Sequence, residues 1–157
     1  MLVYGEPRLT KDIDITLGLG VEGFERIRDV IVRLNLIVLV DDVETFVKKT
    51  MVVPCLDKKS GIRVDFIFSH SPYERQALER AKAIRFGNSC VKFASLEDVV
   101  IHKMVAGRAR DIEDVKSILG KNSGYDSRYI EMWLKEFDNS LGENFFTQYK
   151  KILEEIK

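Results

Sequence analysis

Two aspartates separated by one residue, Asp12 and Asp14, stand in KDIDITL (residues 11–17), a segment that alternates polar and apolar side chains. The alternation has the period of a strand. Both carboxylates then point to one side, about 6.5 Å apart along the chain, while Ile13 and Ile15 turn to a core on the other. Like charges so close raise each other's pKa unless a cation lies between them, and a hard divalent ion with oxygen ligands is the usual neutraliser. Mg²⁺ suits this donor set best, with Mn²⁺ as its substitute.

A third acid occupies an odd place in IRVDFIF (62–68). Ile62, Val64, Phe66 and Phe68 share one face of that strand, leaving Arg63, Asp65 and Ile67 on the other. Asp65 is thus expected to stand isolated amid apolar neighbours. If this strand lies beside 11–17, its carboxylate joins the other two, and the triad can hold a pair of ions about 3.5 to 4 Å apart. Such a site clamps a triphosphate and activates an attacking hydroxyl. The competing explanation is that all three acids are charges guarding edge strands against aggregation.

Further along, Lys103 falls on the same helical stripe as Leu96, Val99 and Val100, so it faces inward or over a cleft. Asp111 shares a face with Val115 and Ile118, and Arg108 and Arg110 stand beside Gly107. These donors and their counter-charge suit phosphate oxygens, and a structural Lys103–Asp111 ion pair explains the same pattern. His70 follows the Asp65 strand in a loop, and His102 falls on the outward side of its helix; both are expected to be ordinary surface or capping histidines. Cys55 and Cys90 lack metal-site spacing and are expected to be buried thiols.

The elements that position these residues follow from periodicity. A helix is expected over 22–34, a strand over 36–40, a short helix capped by Asp41 or Asp42, and a hairpin whose turn is DKKSG. A helix after Pro72 and short strands at 83–86 and 91–94 come next. Ser95 with Asp98 makes a capping box for a helix over 96–106, and Gly107 breaks it. Helices over about 110–119 and two more beyond KNSGYD complete the chain. The expected class is α+β: a mixed sheet flanked by helices, then a helical C-terminal part. One domain over 1–157 is expected, with sheet and helices in 1–94 and the helical part in 95–157.

The 25 basic and 25 acidic residues cancel, so any polyanion must be held locally rather than by long-range attraction. No run is long and apolar enough to cross a bilayer, and with two thiols and no export signal the cytoplasm is the expected compartment.

GEPRLTKDIDI (5–15), VDFIF (64–68) and SLEDVVIHKMVAGRARDIEDV (95–115) together resemble the nucleotidyltransferase superfamily of the polymerase-beta type. The nearest branch is the bacterial AbiEii-like, minimal nucleotidyltransferase group, several of whose members are toxin or antitoxin components. The resemblance implies that Asp12 and Asp14 are the metal-binding pair and Asp65 the third catalytic carboxylate. It places Arg8 and Thr10 at the family's Arg-x-Thr positions, and Lys103 and Asp111 where phosphate contact and local structure are expected.

The implied reaction is Mg²⁺-dependent transfer of a nucleoside monophosphate from a nucleoside triphosphate to a hydroxyl of tRNA or protein, releasing pyrophosphate. A protein partner or a second copy is a further expectation of this branch. One departure bears on activity. The family's Gly-Gly or Gly-Ser phosphate turn would lie upstream of Met1. Three expectations stay open: an internally assigned start, a partner that completes the site, or a catalytically silent binding or regulatory protein.

Overall fold

The computed structural model describes residues 4–5, 11–69 and 71–156, so Arg8, Thr10 and His70 lie outside the described residues. The fold is α+β, with a mixed four-stranded sheet, a separate two-stranded sheet and a helical C-terminal part. Contacts divide the chain into two compact units, Leu9–Glu79 and Met1–Arg8 with Arg80–Lys157. The hairpin after residue 80 therefore groups with the C-terminal helices rather than with the larger sheet.

In the sheet unit, β1 (Asp12–Thr16) is followed by a 3₁₀ turn (Val21–Gly23), α1 (Phe24–Arg33), β2 (Ile37–Val38), α2 (Val43–Thr50), β3 (Val52–Asp57), β4 (Ile62–Ile67) and α3 (Pro72–Glu79). The strand order is β1-β4-β3-β2, with β1 parallel to β4 and the other pairs antiparallel. The β3–β4 turn forms because the Asp57 carboxylate accepts from the amides of Lys59 (3.1 Å) and Ser60 (3.3 Å), and Gly61 takes φ +69°. Asp42 caps α2 by accepting from the Thr45 amide at 3.1 Å.

Alternation along β3 and β4 sends Val53, Cys55, Val64 and Phe66 to one side, where Ile27 and Ile31 of α1 and Val47 of α2 close a core with Phe68. Each such side chain contributes about 1.5–3 kcal/mol by leaving water. This core fixes β4, and β4 in turn fixes β1.

In the helical unit, β5 (Lys82–Phe86) and β6 (Ser89–Phe93) make an antiparallel hairpin turning at Gly87, φ +57°. Then come α4 (Leu96–Ala106), α5 (Ala109–Lys121), α6 (Ser127–Leu141) and α7 (Phe145–Glu155). Leu96, Val100, Ile101 and Met104 of α4 are buried, as are Val115 and Ile118, Ile130 and Leu134, and Tyr149 and Ile152 of the helices that follow. The C-terminal apolar stripes are core. Cys55 is buried as expected, but Cys90 is exposed, because the two-stranded sheet that carries it leaves much of its surface in solvent.

Candidate functional site

Hydrogen bonding of β1 to β4 sets Asp12 opposite Arg63 and Asp14 opposite Asp65. Opposed residues in neighbouring strands send their side chains to the same side, so the three carboxylates and one guanidinium share a face. Arg63 Nε donates to Asp65 Oδ1 at 2.8 Å. The Asp65 side chain is 16% exposed and that of Arg63 52%. Asp65 is therefore not isolated among apolar groups, since the alternation that sends it to this face sends Arg63 with it. The hydrogen bond and charge of Asp65, and then the charges of Asp14 and Asp12, hold the Arg63 pKa above its ordinary value. All four groups are thus within electrostatic reach of one another.

Three carboxylates supply hard oxygen donors of the kind Mg²⁺ or Mn²⁺ takes. As the side chains stand, no group of three His, Cys, Asp or Glu residues among the described residues is arranged to hold an ion. Asp65 is engaged by Arg63. The donor set fits in kind, and a guanidinium stands at one of its members.

The opposite face of β1 departs from expectation. Ile13 is 48% exposed and Ile15 38%, so they do not enter the core. With Leu34, Leu36, Ile62 and Phe66 they line an open, largely apolar groove of about 440 Å³. The reason is positional: β1 is an edge strand, and α1 and α2 reach the middle of the sheet. Burial also reaches the thiol of Cys55, which desolvation and then the Asp65 charge push up to about 11, leaving it a neutral core group.

The helical unit assembles the other predicted residues. The Ser95 hydroxyl caps α4 by accepting from the Asp98 amide at 3.2 Å, and Gly107 ends it with φ +63°. The turn brings α5 alongside α4. Lys103 Nζ then donates to Asp111 Oδ1 at 3.0 Å and to Asp114 Oδ2 at 2.5 Å. All three side chains are at most 15% exposed. This is the ion-pair arrangement, widened by Asp114, which the sequence reading omitted although it follows Asp111 by three residues on one helical face. Arg108 Nε lies 3.9 Å from Asp111 Oδ2 with its side chain 83% exposed, so its guanidinium is presented to solvent.

A second acid cluster in this unit was missed in the sequence. Asp98 accepts from Ser95 Oγ at 2.5 Å and from Tyr129 Oη at 2.9 Å. Arg80 sits 3.9 Å above the Tyr129 ring and 3.1 Å from Glu97 Oε2. Burial pushes the Glu97 carboxyl up, but the amides of Asp126 and Glu97, the Ser95 hydroxyl and Arg80 together hold it below its ordinary value.

Among the described residues, no helix is long and apolar enough to cross a membrane. The sequence matches, over residues 1–155, the family described as nucleotidyl transferase AbiEii toxin of a type IV toxin–antitoxin system. No curated protein matches the chain.

Proposed function

From the premise that the chain belongs to the AbiEii nucleotidyl transferase toxin family of type IV toxin–antitoxin systems, we propose that it transfers a nucleoside monophosphate from a nucleoside triphosphate to a hydroxyl of tRNA or protein. The observation that carries this reading is the register of β1 on β4, which sets Asp14 beside Asp65 with Asp12 next on the same face. Asp12, Asp14 and Asp65 would hold Mg²⁺ or Mn²⁺. When bound, the metal offsets charge on the triphosphate and lowers the pKa of a coordinated hydroxyl.

The chain's own part is positional. The parallel pairing fixes the spacing of the carboxylates, and the buried core under β4 keeps that spacing rigid. In the helical unit, Lys103 and Asp111 hold the α4–α5 turn, which presents the Arg108 guanidinium to solvent.

The Arg63–Asp65 pair favours a second reading, that of a silent family member whose third carboxylate is permanently engaged. Incubation of the purified chain with each α-labelled triphosphate, Mg²⁺ or Mn²⁺, and either tRNA or cell protein separates the two. Label transferred by the wild type and lost in Asp12→Asn/Asp14→Asn supports the enzyme. Transfer that survives the double substitution, or the absence of transfer with every nucleotide and acceptor, overturns it.

A further inference from the structure

The β5–β6 hairpin gathers positive charge and aromatic surface without a single acid. KAIRFGNSCVKF (82–93) holds Lys82, Arg85 and Lys92 and neither Asp nor Glu, in a chain whose charges cancel overall. Among the described residues these three cations make no ion pair, whereas Arg80 and Lys103 each lie against two acids. No residue of either strand is buried. Pairing sets Lys82 opposite Phe93, Ile84 opposite Val91 and Phe86 opposite Ser89, so these six share one face, and Arg85 and Lys92 take the other. On the first face the Phe86 and Phe93 rings stack, with 5.6 Å between centroids and 28° between planes. Phe86 is nonetheless 53% exposed and Val91 44%. Contiguous apolar surface left in water marks a contact site.

We infer that this hairpin is a docking surface for single-stranded RNA. Bases stack on the exposed Phe86 ring, which its contact with Phe93 holds in place. Lys82 meets phosphates on the same face, and Arg85 and Lys92 have side chains long enough to reach past the edges of a two-stranded ribbon. The Ser89 hydroxyl, opposite Phe86 on the aromatic face, is placed for the 2′-hydroxyl that tells RNA from DNA. The inference goes beyond the transferase reading: none of these residues belongs to the carboxylate face, and a catalytically silent chain keeps the same surface.

Two other occupants fit less well. A membrane would receive the hairpin tip first, and that tip is the exposed, polar Gly87-Asn88-Ser89. Lysine is depleted at protein interfaces, and here two lysines interleave with the apolar residues.

The test is fluorescence anisotropy of a labelled uridine dodecamer titrated with the full chain over a range of KCl concentrations. The variants are Phe86→Ala, Phe86→Leu and the triple Lys82→Gln/Arg85→Gln/Lys92→Gln. A control, Lys48→Gln/Lys49→Gln, removes exposed charge from α2 instead. Phe86→Ala is expected to weaken binding about tenfold. Phe86→Leu keeps the apolar bulk without the stacking face, and it too is expected to bind more weakly while melting as the wild type does. The triple substitution is expected to flatten the slope of log affinity against log salt by about 2, as three phosphate contacts are lost. The control is expected to bind as the wild type, and the deoxyuridine dodecamer to bind less tightly than the RNA. No RNA binding by the wild type, affinity unchanged in the hairpin variants, equal loss in the control, or tighter binding of the DNA overturns the inference. Hairpin-dependent binding to phosphatidylserine–phosphatidylcholine vesicles in place of RNA overturns it as well. Each of these leaves the transferase reading standing, because label transfer is measured separately.

Discussion

In the helical unit Asp98 has no exposed surface and both its oxygens accept hydrogen bonds, from Ser95 and Tyr129, with Arg80 3.8 Å away. In the sheet unit Asp12 and Asp14 lie on an exposed edge strand, and the nearest strand cation is half in water. A buried acid whose hydrogen bonds are met stabilises one arrangement of its helices, and removing it strands its partners. Acids gathered on an open face do little for the core, and it is these that the proposed function assigns to a metal. Lys103 falls on the structural side of this division, because two acids of α5 hold it in a largely buried cluster.

Four substitutions can sharpen or break this contrast. Asp14→Asn is expected to lower nucleotidyl transfer by at least about a thousandfold. Its melting temperature should match the wild type or exceed it, since a like charge has gone; a large drop would move Asp14 to the structural class. Asp98→Ala should do the reverse, costing about 3 kcal/mol in urea denaturation while leaving Mg²⁺ affinity unaltered. Lys103→Met leaves Asp111 and Asp114 facing each other and should cost about 2 kcal/mol. A small stability change with weakened triphosphate binding would instead assign Lys103 to phosphate.

The smallest effect concerns pH. Because the folded state holds Glu97 below its ordinary pKa of 4.5, its contribution to stability is complete above that value. It is lost as pH falls through the lowered folded value. Glu97→Gln should therefore cost about 1 kcal/mol at neutral pH. The wild-type advantage should shrink in acid, as read from melting temperatures of both proteins across the acid range.

The parts of the fold legible in the sequence are those decided by local chemistry. The Ser95–Asp98 capping box and Gly107 bound α4 at the predicted residues, and apolar alternation in 62–68 gave β4 its buried and polar faces. The juxtaposition of Asp65 with Asp12 and Asp14 was readable only as a condition, because spacing tells which side a residue takes and not which strand lies beside it. What covers each face was not readable. Ile13 and Ile15 have the pattern of core residues but sit beyond the reach of α1 and α2, and Cys90 is exposed on its small hairpin. Arg63 stands two residues before Asp65 in the sequence. Its place opposite Asp12 emerges only with the strand pairing.

Crystals grown with Mn²⁺ and measured at the manganese absorption edge test the central claim most directly. Anomalous density within coordinating distance of the Asp12, Asp14 and Asp65 carboxylates is the predicted result. Ordered Mn²⁺ elsewhere, with Arg63 still bonded to Asp65 and no density on the β1–β4 face, would contradict it.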